Sequence, residues 1–184
     1  MPLPFHIYCI NHLYSYQPSL VMKKLFFSLT FLATLYWQPS PAQTSSTTSQ
    51  LLTSYYGIKD ALVVSDAGTA SIQATAFEKT LQAIDMKSLP GSSMTTFMAL
   101  QDKLSKDASF IASNKNVSRQ RDHFASFSAN MLTLAKGLKL STLPIYETYC
   151  PMKKAIWLSS EAVIKNPYFG NQMLTCGKVT ETVQ

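Results

Sequence analysis

Motifs that would mark an enzyme are missing. The sequence has no glycine-rich phosphate loop, no HExxH pair and no paired carboxylates at catalytic spacing. Histidine and cysteine each occur only three times in 184 residues, which leaves little from which to assemble a nucleophile, its base and an orienting group. A thiol hydrolase would also need backbone N–H donors beside its nucleophile, and Pro151 removes the one next to Cys150. These absences point to a protein that is not an enzyme. Its Lys and Arg residues are scattered, so a formal charge of +6 without a basic stripe argues against nucleic acid as a partner. What is present, 46% hydrophobic and 14% charged residues, suits one soluble domain.

The N-terminal third divides by texture. From Met22 the chain reads MKKLFFSLTFLATLYWQPSPAQ, with two lysines, an apolar run and a small-residue end at Ser40-Pro41-Ala42, the three zones of a secretory signal peptide. The run Leu25–Trp37 is too short to span a bilayer comfortably, so no stable membrane span is expected once residues 22–42 are cleaved after Ala42. Gln43 stands where a lipoprotein would carry cysteine. Residues 1–21 are aromatic and patternless ahead of a complete leader, which favours Met22 over Met1 as the start. An exported, periplasmic or otherwise extracytoplasmic protein follows. It would keep two cysteines, Cys150 and Cys176, and one histidine, His123, in a compartment that permits disulfides.

Residues 43–50 contain only Gln, Ser and Thr and read as a flexible linker. Apolar spacing then predicts four helices over 51–140. The first carries Leu51, Leu52, Tyr55, Ile58 and Leu62 on one face. The second starts at a Ser65-Asp66 cap and carries Ala70, Ala74, Phe77, Leu81 and Ile84. After a break at Leu89-Pro90-Gly91 and a capping serine, Met94, Phe97, Met98, Gln101, Leu104, Ala108 and Ile111 trace the third, with Met94 and Met98 expected in the core. The fourth shows Phe124, Phe127, Met131, Leu134 and Leu138, and Leu143-Pro144 marks its end region. Short connections imply an up-down antiparallel four-helix bundle. The fold class is mainly α, with a small C-terminal β/turn appendix over 145–184 that holds both cysteines. Its β-favouring ends are Ile145–Tyr149 and Lys178–Val183, and Trp157 is its expected core anchor.

Each cysteine of the appendix lies beside a turn former and near a methionine: Cys150-Pro151-Met152, and Met173 three residues before Cys176-Gly177. Thiolates and thioethers are soft donors that favour Cu(I) and similar ions, which need fewer ligands than structural zinc. Cys150, Met152, Met173 and Cys176 make such a set, with His123, one position off the fourth helix's apolar stripe, as a fifth donor. The alternatives are a structural disulfide between Cys150 and Cys176, worth about 3.5 kcal/mol in the chain-entropy model, and a core-edge histidine.

The pieces YCPM, WLS, IKNPYFG and QMLTCG, with QRDHFASFSANM upstream and YYGIKDALVVSD in the first helix, together resemble an exported bacterial domain family of unknown function. That family also occurs fused to periplasmic adaptor subunits of CusB-type heavy-metal efflux pumps. The resemblance spans about Tyr55 to Thr182. It implies a helical domain tied to copper or silver handling, in which Cys150, Met152, Met173 and Cys176 match the sulfur motif and His123 matches a histidine of the fourth helix. Relatives often insert a longer polar segment between Cys-Pro-Met and the Trp, where this chain has only Lys153-Lys154-Ala155-Ile156. Docking that uses the insert does not carry over. Two functions are therefore expected: a soft-metal binder that buffers Cu(I) or Ag(I) or delivers it to an efflux system, or a disulfide-stabilised interaction module that docks to an efflux adaptor or another envelope protein.

Overall fold

The computed structural model describes residues 42–183; the expectations for residues 1–21 and for the leader up to Pro41 lie outside them. Four helices come first: α1 Ala42–Val63, α2 Ala67–Gln82, α3 Gly91–Ser113 and α4 Val117–Leu138. Three antiparallel strands follow: β1 Ile145–Cys150, β2 Ala155–Ser159 and β3 Lys178–Val183, in the order β2-β1-β3. The protein is mainly helical with a small C-terminal sheet, as the apolar spacing implied. Among the described residues no helix is long and apolar enough to cross a membrane.

α1 starts earlier than expected. Residues 43–50, read as linker from their composition, continue the helix backward. Ser and Thr tolerate this because their hydroxyls can bond the carbonyl one turn back, as Thr53 Oγ1 does to Ser49 O at 2.9 Å. Leu51, Leu52, Tyr55, Ile58 and Leu62 are all buried. The turn into α2 is tight, with Ser65 at φ 62. The Asp66 side chain then caps α2 by accepting from Thr69 N at 2.9 Å and Thr69 Oγ1 at 2.6 Å. These bonds, the Thr69 hydroxyl first, hold the Asp66 carboxyl below its ordinary range.

α3 departs from expectation in two ways. Its N-cap is Pro90, with no side-chain cap bond, and Ser93 instead donates to Gly137 O of α4 at 3.0 Å. Its buried face runs through Phe97, Leu100, Leu104, Ala108 and Ile111, which turns Met94 and Met98 outward at 37% and 60% exposure. They are one turn apart, but on the flank of the stripe rather than in it. α4 is capped by Asn116, whose side chain accepts from Ser118 N and Arg119 N. It stops at Lys139 in the left-handed conformation, φ 49, five residues before Pro144.

Each helix packs on the next in sequence, and α4 also packs on β2. Tyr55 ties these layers together. Its ring stacks on Phe124 with centroids 5.5 Å apart, its hydroxyl lies 2.8 Å from Ser128 Oγ, and it accepts from Leu158 N of β2 at 2.9 Å. One fully buried phenol thus satisfies two polar groups that the interior would otherwise strand.

β2 was not foreseen. Ala155-Ile156-Trp157-Leu158-Ser159 is a short apolar run without alternation, because its last three residues are all buried under the helices. Trp157 is 1% exposed and anchors the appendix as expected. β1 sits between both partners, with Thr148 and Cys150 buried and Glu147 and Tyr149 half-buried. A bulge in β3 leaves Thr180 unpaired between Glu147↔Glu181 and Thr148↔Val179.

Candidate functional site

The register of β1 and β3 brings the two cysteines together. Tyr149 pairs with Lys178, the first residue of β3, so Cys150 at the end of β1 lies beside the Cys176-Gly177 segment that leads into β3, and Asn166 Nδ2 reaches both Cys150 Sγ and Cys176 O. Both cysteines are free thiols; Cys150 is buried and Cys176 half-buried. Close approach here requires glycine at 177, because a Cβ would lie 2.7 Å from Trp157 Cη2 and 3.2 Å from Tyr149 O.

Two N–H groups point at Cys150 Sγ. The tight turn Pro151–Lys154, closed with Lys154 at φ 55, aims Lys153 N at Cys150 Sγ, 3.4 Å away. Asn166 Nδ2 donates to the same sulfur at 3.3 Å. The N–H of Met152 faces Cys176, where it lowers a thiol pKa that desolvation, and then the neighbouring Cys150 sulfur, push above its ordinary value. Donors of this kind are worth most to a negatively charged sulfur, as a thiolate or a metal thiolate.

Asn166 is the hub of the site, and its role went unrecognised in the sequence. It is fully buried, and each of its polar groups is used. Nδ2 also donates to Cys176 O at 2.6 Å, and Oδ1 accepts from Tyr168 N at 2.8 Å and Phe169 N at 3.3 Å. Its own N–H donates to Leu174 O, and its carbonyl accepts from Gly170 N. The signal was Asn before Pro in Asn166-Pro167-Tyr168-Phe169-Gly170: an Asx side chain that organises a turn. Tyr168 OH donates to Ile156 O. Gly170 holds φ +55 where a Cβ would sit 2.7 Å from Val63 O.

Met152 and Met173 frame the thiols through their backbones. Met173 O accepts from Cys176 N at 3.0 Å, and the Met152 N–H faces Cys176. As residues they are 63% and 36% exposed. His123 has other company. Its Nδ1 lies 3.0 Å from Asp107 Oδ1, and its ring stacks on Phe110 at 3.5 Å. It lines two shallow cavities of about 330 and 380 Å³ with Asp122 between α3 and α4. Of the five sequence-predicted donors, Cys150 and Cys176 meet around Asn166, Met152 and Met173 flank them in sequence with exposed side chains, and His123 is engaged at the α3–α4 surface. Among the described residues no three His, Cys, Asp or Glu side chains cluster as metal donors.

The run Gln120-Arg121-Asp122-His123 in α4 is a junction. Gln120 Nε2 donates to Ala67 O, Ile111 O and Asn114 O, at the ends of α2 and α3. Arg121 donates to Leu62 O at 2.7 Å, Ser65 Oγ at 2.9 Å and Pro167 O at 2.8 Å, fastening the asparagine turn to the end of α1. Asp122 pairs with Lys153 at 2.6 Å, which steadies the Cys-Pro-Met turn. The appendix is thus tied to α4 by three of its charged side chains, Arg121, Asp122 and Lys136, the last paired with Glu181 of β3 at 2.7 Å, as well as by its apolar face.

A model for the family described as protein of unknown function (DUF3347) matches residues 51–142, half of the chain. The match covers the helices from Leu51 onward and ends before β1, so the thiol site lies outside it. No curated protein and no solved structure gives a significant match.

Proposed function

This chain belongs to the DUF3347 family of proteins of unknown function, and from that premise we propose that it binds a soft monovalent metal ion, Cu(I) or Ag(I), outside the cytoplasm. Cys150 and Cys176 are the primary donors as thiolates, and Met152 and Met173 supply thioethers. One observation carries this reading: two neighbouring thiols, the buried one with two N–H donors directed at its sulfur. Two thiolates and two thioethers suit an ion satisfied by few soft ligands. His123, whose Nδ1 faces Asp107 and whose ring stacks on Phe110, is not required by an ion satisfied by few soft ligands.

Export through residues 22–42, delivery of the ion to an efflux system and the absence of catalysis belong to the same proposal. So does an up-down antiparallel arrangement of α1–α4, supported by short connections and by the packing of each helix on its sequence neighbour. The thiol contact also supports a second reading, in which a Cys150–Cys176 disulfide braces an interaction module that docks to an envelope partner. Anaerobic Cu(I) titration against a competing chelator, with a free-thiol count, separates them. The Cys150→Ser/Cys176→Ser double variant should keep its helical circular dichroism and bind no Cu(I). Unchanged Cu(I) affinity in that variant would sink the metal reading. A closed bond with no Cu(I) uptake after gentle reduction would favour the second.

A further inference from the structure

We propose that the same two sulfurs carry out thiol–disulfide exchange with small disulfides, entered at Cys176 and completed by Cys150, and that closure expels the bound ion; the expulsion rests on the soft-metal reading above. The strand register sets the two cysteines side by side at the end of the sheet. Asn166 Nδ2 spans them, 3.3 Å from Cys150 Sγ and 2.6 Å from Cys176 O. Access is unequal. Cys150 is 0% exposed beneath the Pro151–Lys154 turn, whereas Cys176 is half-buried next to the exposed segment Asn171–Thr175. An incoming disulfide therefore meets Cys176 first, because exchange rates follow the access of the attacking sulfur.

The balance is complete with one disulfide, RSSR, as oxidant. The Cys176 thiolate attacks one sulfur of RSSR, a Cys176–SR bond forms, and the first RS⁻ leaves. Cys150, with Lys153 N and Asn166 Nδ2 directed at its sulfur, then attacks Cys176 Sγ. The Cys150–Cys176 bond forms as the second RS⁻ leaves. The two thiol protons end on the two RS⁻, so the protein loses two electrons and RSSR becomes two RSH. No thiolate remains for a soft ion, and Met152 and Met173 are left as thioethers alone.

The test is an anaerobic titration of the full chain, with and without Cu(I), across ratios of reduced to oxidised glutathione. Samples are acid-quenched, alkylated and peptide-mapped so that Cys150 and Cys176 are scored separately from Cys9. The expected result is that Cys150 and Cys176 become protected together in one two-thiol step, with copper passing to the chelator in parallel. Cys150→Ser should trap a glutathione adduct on Cys176 more than about tenfold faster than Cys176→Ser traps one on Cys150, on the difference in access between the two sulfurs. Comparable rates, or two separate adducts on the unmodified chain, would overturn the proposal. Tight Cu(I) binding by thiols that never close also overturns it and leaves the metal reading intact. Closure without any Cu(I) uptake upholds the exchange and overturns the metal reading instead.

Discussion

Replacing Asn166 by alanine removes the one side chain that joins both halves of the site. The fully buried amide makes four hydrogen bonds of its own. Two are short and go to backbone groups: Nδ2 to Cys176 O at 2.6 Å, and Tyr168 N to Oδ1 at 2.8 Å. An alanine strands both partners, and each stranded buried group costs about 1–3 kcal/mol. The longer bonds to Phe169 N and Cys150 Sγ add less. The expected loss is about 3 kcal/mol, which for a urea slope of ~2 kcal/mol/M lowers the unfolding midpoint by about 1.5 M. On the metal reading proposed above, the same variant should weaken Cu(I) binding by about 10–100-fold, the usual effect of removing a group that orients metal ligands. Asn166→Asp serves as the control. It keeps the acceptor for Tyr168 N but sets an oxygen in a buried site against Cys176 O and Cys150 Sγ, so at neutral pH it should be no more stable than Asn166→Ala. A midpoint within about 0.25 M of the unsubstituted protein would refute the assignment of Asn166 as hub, since stranding even one buried group should exceed that shift.

Other substitutions probe the junctions. Tyr55→Phe leaves Leu158 N and the Ser128 hydroxyl without their shared partner, and thermal or urea unfolding should show a loss of about 1–3 kcal/mol with the helical content retained. Gly170→Ala forces a Cβ onto a residue at φ +55 and against Val63 O; it should destabilise by about 2 kcal/mol or more in urea, combining left-handed strain with overpacking. The depressed Asp66 carboxyl means that the unfolded chain binds the extra proton. Its stabilisation is therefore present above the ordinary carboxylate range and is lost as pH falls through and below it. Asp66→Asn should flatten this acid limb of a stability–pH curve, and an identical limb in both proteins would exclude Asp66 as a contributor.

Much of the helical half was legible because its signals are local. Leu51, Tyr55, Ile58 and Leu62, or Phe124, Phe127, Met131 and Leu134, repeat at three-four spacing, and all are buried. Asp66 announced a helix start by its own chemistry. Where packing decides, the local signal failed. The polar run before Leu51 is helical as a continuation of a helix already formed. Met94 and Met98 have the right spacing but the wrong phase relative to Phe97 and Leu104. Trp157, Leu158 and Ser159 conceal a strand because one set of contacts covers consecutive residues.

The sequence alone determined the residue types and the turns: four amphipathic stretches, two cysteines each beside a turn former, and two methionines within three positions of them. Only the tertiary structure decided which of these meet. The β1–β3 register and the Asn166 turn joined residues 26 positions apart in sequence, and Asn166, legible in the sequence only as a turn residue, became the donor between them. Helix phase sent His123 to Asp107 rather than to the sulfurs. The physical reason is that turn and helix preferences act over a few residues, whereas donor and acceptor pairing across elements is set by register and phase, to which any single segment is blind.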